Sequence, residues 1–444
     1  MTLRASLSGF PEWLPGGRVV EQQILDTARR AFELHGFASL ETRSVEPVDV
    51  LLRKGEVDKE VYAVRRLHDD DESALALHFD LTVPFARYVV ENAGQLSFPF
   101  RRYQIQRVWR GERPQEGRFR EFTQADIDIV DVGVLAQHHD AEMAMVMADV
   151  FADLPIPPTV ILLNNRKVLQ GVYRGLGIAD TPSVLRAIDK LDKVGVDKVR
   201  DLLQAAGLTA QQADLCLALA DIRSADGSFV DRVRALGIED PLLDEGLAEL
   251  LEVLEVVNHA RPGAAGVDLH IARGLDYYTG TVYETQVVGH ETFGSICSGG
   301  RYDALATDGT TTYPGVGISL GVTRLVSLLL GRDLVRASRP VPSAVLVAVV
   351  GEESREASNA VAHILRSRGI PCEVAPAAEK FGKQIRHADR RGIPFVWFPD
   401  AAGDTVKDIR SGEQVGADAT TWAPPDTDLR PRVVVVAEGD EGAT

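Results

Sequence analysis

Arginine recurs through a short polar run in which Arg110-Gly111-Glu112-Arg113-Pro114-Gln115 leads through Arg118-Phe119-Arg120 to Glu121-Phe122. A guanidinium fork offers paired donors to a phosphate, and an aromatic ring offers a flat face to a purine, so this run outlines a nucleotide triphosphate site. Directly after it, period-two spacing sends Phe122, Gln124, Asp126 and Asp128 to one face of a predicted strand, and Thr123, Ala125, Ile127 and Ile129 to the other. The first face is acidic and hydrogen-bonding, the second mostly apolar. Pattern alone fits an exposed sheet face equally well; the arginine-rich loop beside it favours a binding site.

Other segments carry chemical potential. Arg273-Gly274-Leu275-Asp276-Tyr277-Tyr278-Thr279-Gly280, followed by Thr281-Val282-Tyr283-Glu284, sets a cation beside paired tyrosines. Asp80-Leu81-Thr82 ahead of Val83-Pro84-Phe85 has the pattern of a helix N-cap. Gly315-Val316-Gly317-Ile318-Ser319-Leu320-Gly321 invites comparison with the pyrophosphate-cradling GxGxxG turn, but its last glycine falls one residue late and no acidic residue follows at the required distance. His138-His139-Asp140 reads as a solvated helix start and not a metal centre, because adjacent histidines point to different sides.

The arginine-rich run resembles motif 2 of class II aminoacyl-tRNA synthetases, and its continuation to Gln124 and Asp128 is similar to the histidyl-tRNA synthetase family. Arg273 to Tyr278 resembles the histidine-specific segment of that family, Cys297-Ser298-Gly299-Gly300-Arg301-Tyr302-Asp303 its second such segment, and Gly315 to Arg324 motif 3. The resemblance implies ATP-dependent activation of L-histidine to histidyl-adenylate and its transfer to the 3′ end of tRNA(His). ATP is then a substrate, accompanied by Mg²⁺ whose ligands the sequence does not single out. Arg110 and Arg273 would flank the α-phosphate as catalytic cations, with Arg110, Glu112, Phe122 and Arg324 holding ATP. Asp80, Thr82 and Gln124 would hold the α-ammonium group of histidine, Asp128 and Tyr278 would bracket the imidazole, and Tyr277 and Arg273 would complete that pocket. Arg113 and Gln115 would face the tRNA acceptor end, while Arg118 is ambiguous between substrate and tRNA. The glycines of the Cys297 segment would let backbone approach the substrate.

The match departs from the family at a few places. Ser44 stands where motif 1 usually has proline, which bears on the homodimer interface that motif builds, and Ser8 to Glu12 differs from the usual opening. Asp128 is shorter than the glutamate of some relatives. A rival reading is a catalytically silent, histidine-binding regulatory paralogue that partners ATP phosphoribosyltransferase. Such proteins lack the C-terminal domain and erode the arginine motif, and both are present here.

These residues need elements to position them. Val20, Ile24, Ala28, Ala31 and Phe32 recur at helical spacing after Pro15-Gly16-Gly17, with Gly36 placed to end the helix. Phe98 to Val130 reads as a hairpin, Gln137 to about Ala260 as dominantly helical with a break at Pro155 to Pro158, and Asp268 to Val288 as a second hairpin turning at Gly280. A Leu-rich helix ends near Leu330, and Arg332 to Pro342 reads as a linker. Beyond it strands and helices alternate, closing on a strand at Val433 to Val436. The expected class is α/β overall: an α+β catalytic domain at residues 1–330, with the class II antiparallel sheet flanked by helices and a helical insertion near 168–260; a linker at 331–342; a C-terminal α/β domain at 343–437; and an acidic tail at 438–444. In the last domain Lys380, Lys383, Arg386 and Arg390 line one side of a helix. That helix and Val406-Lys407-Asp408 resemble the anticodon-binding domain of histidyl, threonyl, prolyl and glycyl synthetases, which implies tRNA contact by Lys380, Lys383 and Arg386.

Bulk composition is compatible with this. Across 444 residues, 48 basic against 65 acidic side chains leave −17, which argues against a general nucleic-acid binder but not against one that gathers its cations locally. No apolar run reaches a membrane-spanning length of roughly 18 residues, and no secretory pattern opens the chain, so a cytoplasmic protein with no membrane partner is expected. Cys216, Cys297 and Cys372 are too far apart for a zinc knuckle and read as reduced structural thiols.

Overall fold

The computed structural model describes residues 7–52, 60–68, 74–271 and 277–436. The chain divides into two units, one ending at Pro11 and resuming over Leu25–Leu328, the other comprising Glu12–Ile24 and Leu329 onward. The long first helix, α1 (Pro15–Leu34), buries Val20, Ile24, Ala28, Ala31 and Phe32 as their spacing requires. It stops where Gly36 takes φ of 77°, a left-handed conformation that glycine adopts without penalty, and the Phe37 amide returns to the Phe32 carbonyl at 3.0 Å.

Among the described residues, the main sheet of the first unit has nine strands: β1 (Ala38–Ser39), β2 (Phe100–Trp109), β3 (Glu121–Val130), β4 (Thr159–Asn165), β5 (Arg223–Ser224), β6 (Ala265–Asp268), β7 (Tyr278–Val287), β8 (Cys297–Tyr302) and β9 (Gly315–Gly321). Their spatial order is β1-β2-β3-β9-β8-β7-β4-β6-β5. From β2 to β4 every neighbouring pair is antiparallel. The hairpin of β2 and β3 therefore sits beside β9, and the glycine-rich β9 faces the site-bearing strand residue for residue, with Gly317 opposite Asp128 and Ser319 opposite Asp126.

Helix α2 (Thr82–Asn92) starts beside the sheet, and α3 (His138–Asp153) packs on β3, β4 and β9. Ile127 and Ile129 are fully buried, and the polar side of β3 is closed as well, so the exposed-face alternative does not hold. From Arg166 to Ala260 helices dominate, including α4 (Arg166–Gly175) and α5 (Pro241–Ala260), which lie close enough that a side-chain carbon at Gly171 would stand 2.4 Å from the Leu243 nitrogen. Helix α6 (Val322–Gly331) follows β9.

Two expectations fail in this unit. The helical stretch predicted from Gln137 is interrupted by β4, whose run Thr159-Val160-Ile161-Leu162-Leu163 is β-branched and apolar, suiting a strand buried on both faces. The second hairpin does not form as drawn. Gly280 lies inside β7, β6 pairs with β4 and β5, and β7 pairs with β4 and β8. Gly280 is required there because a side-chain carbon would meet Arg301 Cδ at 2.8 Å, not because the chain turns.

The second unit holds β10 (Val335–Ala337), β11 (Val345–Val347), β12 (Cys372–Val374), β13 (Phe395–Phe398), β14 (Thr405–Asp408), β15 (Gln414–Gly416) and β16 (Val433–Val435), with helices α7 (Arg355–Ser367) and α8 (Phe381–Arg390). The main sheet runs β12-β11-β13-β14-β15, parallel through β13 and antiparallel beyond. Leu365 of α7 packs with Val345 and Trp397 on one face, Ala388 of α8 with Leu346 and Val396 on the other. The expected linker carries β10, which pairs with β16, so the last strand does not extend the main sheet.

Candidate active site

Strand β3 runs beneath two pockets. Phe122 and Gln124 line a larger cavity of about 280 Å³, together with Arg110, Glu112, Ser298 and Arg324. Asp126 and Asp128 line a smaller one of about 20 Å³, together with Thr82, Tyr277, Tyr278 and Tyr302. One strand thus supplies both through its alternation.

In the larger pocket the Arg110 guanidinium lies 5.1 Å from the centre of the Phe122 ring, and its Nε donates to the Phe79 carbonyl at 3.0 Å. Arg324 enters from α6, donating through Nη1 to the Gly117 carbonyl at 3.0 Å and through Nη2 to the Phe293 carbonyl, with its charge 4.7 Å over the Phe293 ring. Glu112 stands 3.5 Å from Arg118. Arg110, Glu112, Phe122 and Arg324, drawn from distant segments, therefore share one cavity. Arg113 and Gln115 are exposed on the loop between β2 and β3.

The smaller pocket is nearly closed by its own side chains; its volume admits about one water. An imidazole enters only if Tyr277 and Tyr278, whose rings lie 4.3 Å apart, shift. Asp128 is buried and already engaged on both oxygens: Tyr302 donates to Oδ1 at 2.9 Å, and Arg102 stands 2.7 Å from Oδ2. Burial pushes the Tyr278 and Tyr302 hydroxyls well above their ordinary range, so both remain donors at neutral pH. Asp80 is buried and accepts from the Val83 amide at 3.0 Å, which realises the N-terminal cap reading, and Thr82 beside it lines the pocket. Arg273 to Asp276 lie outside the described residues.

Sequence reasoning left Arg102, Asp126, Tyr302 and Ser319 without roles. Arg102 is fully buried, with its charge 4.3 Å over the Phe85 ring. The available signal was a second arginine inside a strand, at a position paired across the hairpin with Asp128.

Two glycines shape the smaller pocket. A side-chain carbon on Gly300 would lie 2.8 Å from the Tyr278 ring, and one on Gly317 only 2.1 Å from Asp128 Oδ1. Both glycines make room for pocket side chains of the protein itself. The expected solvated start of α3 holds at His138 alone. His139 and Asp140 are buried, and Asp140 lies 2.7 Å from Arg301 and accepts from Thr281 at 2.6 Å. Tyr283 donates to its backbone carbonyl at 2.9 Å. Burial raises the Asp140 carboxyl while Arg301 opposes the rise. The ion pair ties α3 to β8, and the Thr281 and Tyr283 hydrogen bonds tie it to β7.

Among the described residues no group of His, Cys, Asp and Glu is arranged to hold a metal ion, and Glu112 is the carboxylate lining the larger pocket. These residues do not make a Mg²⁺ cage, so an ion arriving here would depend on oxygen atoms of the nucleotide and on water. The three cysteines are buried and unpaired, with burial pushing the Cys216 thiol up to about 12. In the second unit, Lys380, Lys383, Arg386 and Arg390 are exposed along α8, where a groove of about 400 Å³ includes Lys383, Arg386 and Arg390.

Comparison with known proteins agrees with this geometry. A family described as histidyl-tRNA synthetase matches residues 9–325, and an anticodon binding domain family matches residues 344–415. The histidine–tRNA ligase of Micrococcus luteus is 61% identical, with 98% of this chain and 99% of that protein aligned. That of Cutibacterium acnes is 59% identical over 96% of this chain and 98% of its own length. The crystal structure of histidyl-tRNA synthetase from Nostoc sp. PCC 7120 superposes with a TM-score of 0.86 at 37% identity, covering 94% of this chain and 98% of that one.

Proposed function

The chain belongs to the histidyl-tRNA synthetase family, and from that premise we propose how its residues divide the work. It activates histidine with ATP and charges tRNA with the product; it is not the regulatory paralogue, since it matches histidine–tRNA ligases over nearly its whole length and carries an anticodon binding domain.

The larger pocket takes ATP. Phe122 stacks on adenine, Glu112 accepts from its amino group, and Arg110 and Arg324 meet the phosphates. The smaller pocket takes the histidine side chain between Asp128 and Tyr278, with Tyr277 at its wall. Asp80, Thr82 and Gln124 take its α-ammonium group. The family resemblance implies that Arg273, outside the described residues, meets the α-phosphate opposite Arg110, where two cations would stabilise charge that grows as the carboxylate attacks phosphorus. Arg113 and Gln115 serve the acceptor end, and Lys380, Lys383 and Arg386 the anticodon arm. The catalytic domain spans residues 1–330 with its helical insertion near 168–260, and the anticodon-binding domain 343–437. Mg²⁺ accompanies the nucleotide, the protein works in the cytoplasm, and two copies pair.

The observation that carries this reading is β3, which turns Phe122 and Gln124 into one pocket and Asp126 and Asp128 into the next. The test is ATP–pyrophosphate exchange with each amino acid in turn. Exchange with histidine alone is expected; equal exchange with another amino acid overturns the pocket assignment. Arg273→Ala should suppress exchange while leaving tRNA binding intact, and parallel loss of both in a folded variant removes its assigned role.

A further inference from the structure

Phe293 stands behind the wall of the larger pocket, at the end of a short helical turn, Glu291–Phe293, in the connection from β7 to β8. Its side chain is buried. Backbone bonds tie this connection to the sheet on two sides: the Ile296 amide donates to the Thr285 carbonyl of β7 at 2.8 Å, and the Gly321 amide at the end of β9 donates to the Ile296 carbonyl at 2.9 Å. A ring seated this way belongs to the scaffold more than to a loop.

Two parts of the ATP pocket rest on that ring. The Arg324 guanidinium lies 4.7 Å over its centre, and Nη2 donates to the carbonyl of the same phenylalanine. A flat face and a carbonyl together restrain the planar end of a long side chain that would otherwise sample several rotamers. Gly117 belongs to the tight turn of the loop between β2 and β3, where Gln115 and Arg118 exchange backbone bonds at 3.2 and 2.9 Å. Its φ is 67°, and a side-chain carbon there would stand 2.4 Å from Phe293 Cζ, so the turn abuts the tip of the ring. Arg324 Nη1 closes the triangle by donating to the Gly117 carbonyl at 3.0 Å.

We propose that Phe293 is a positioning residue for ATP: its ring seats the Arg324 guanidinium and stops the Gly117 turn, so that the motif 3 cation and the motif 2 loop meet the nucleotide as one unit. This rests on the ATP-pocket assignment. Arg110 is held by another route, through the Phe79 carbonyl at 3.0 Å, and the smaller pocket draws on different residues. Loss of the ring therefore falls on Arg324 and the loop, and spares the histidine side of the site.

The experiment measures ATP–pyrophosphate exchange for wild type, Phe293→Leu, Arg324→Ala and the double variant, varying ATP and histidine in turn. Phe293→Leu should raise the ATP KM roughly 3- to 20-fold, the range for losing a desolvated cation–aromatic contact, with the histidine KM little changed. In the Arg324→Ala background the same substitution should cost clearly less, because the ring acts through the guanidinium, whereas a ring that only fills space would exact its full penalty again. Additive effects, or equal rises in both KM values, overturn the proposal. If Arg324→Ala raises the ATP KM and Phe293→Leu does not, the pocket assignment stands and the role of Phe293 falls; if Arg324→Ala leaves the ATP KM unchanged, both fall. Equilibrium binding of ATP supplies the same comparison where exchange is too slow to follow, and Phe293→Met gives the same readouts should the Leu variant fail to fold.

Discussion

The Arg102 guanidinium stands 2.7 Å from the Asp128 carboxylate with both side chains shut off from solvent. Neither residue is near the other in sequence, and the hairpin register alone sets them opposite. On the proposed assignment, this pair sits where the smaller pocket takes the imidazole. A ring nitrogen arriving there meets an acceptor that is already oriented, at the cost of a cation buried permanently beneath it.

Removing that cation takes the guanidinium away from a buried carboxylate. Arg102→Met should destabilise the protein by about 3–5 kcal/mol, the range for breaking one side of a buried pair, and raise the histidine KM. Chemical denaturation and steady-state exchange measure the two effects. A variant as stable as the wild type would show that Asp128 becomes neutral at no penalty.

Asp126 makes a stability prediction independent of substrate. Its carboxyl titrates near 7 when folded against roughly 3.9 in an unfolded chain, so the folded state holds a proton that the unfolded state gives up. The stabilisation is complete below the unfolded value and is lost as pH rises through about 7. Asp126→Asn, which stays neutral throughout, should therefore melt higher than wild type at pH values above the folded pKa and approach it in acid. Calorimetry across that window checks this; a melting difference that is independent of pH removes the titration from the account.

Much of this arrangement was legible from local periodicity. The buried face of α1 and the alternation of β3 follow from spacing, because the helical and strand periods sort apolar from polar side chains. What escaped depended on partners distant in sequence. Asp140 reads as a hydrophilic helix start until Arg301, 161 positions away, is seen to neutralise it. Gly280 carries the composition of a turn, yet it lies within a strand because the Arg301 side chain occupies the space a Cβ would need. Arg102 looks like a surface charge until Phe85 and Asp128 enclose it. Local pattern places elements, but a buried charge becomes interpretable only with its counter-ion.

Gly317 offers a test of strand packing against binding. A methyl group there would stand 2.1 Å from Asp128 Oδ1, so Gly317→Ala should displace the carboxylate and cost about 1–3 kcal/mol of stability through overpacking. The histidine KM should rise while ATP binding stays near wild type, since Gly317 lines only the smaller pocket. Equal impairment of both substrates would mean that the whole sheet had shifted.

The exposed cations of α8 predict a salt effect. Lys383 is paired with Glu379 at 2.9 Å, but this surface bridge is worth less than about 1 kcal/mol, so neutralising Lys380, Lys383 and Arg386 should leave the fold intact. Affinity for tRNA should fall, and the slope of log affinity against log salt should flatten by roughly 0.7–0.9 for each phosphate that the helix no longer neutralises. An unchanged slope would take this helix off the RNA surface.

Because β3 feeds both cavities from alternate positions, its length matters as much as its composition. Deleting or inserting a single residue between Phe122 and Asp128 would rotate everything beyond the change by half a turn, presenting Ile127 or Ile129 where a carboxylate had been. On the proposed assignment, nucleotide and amino-acid recognition share one reading of the backbone, and such a frame change would impair both, whereas point substitutions would tune either alone.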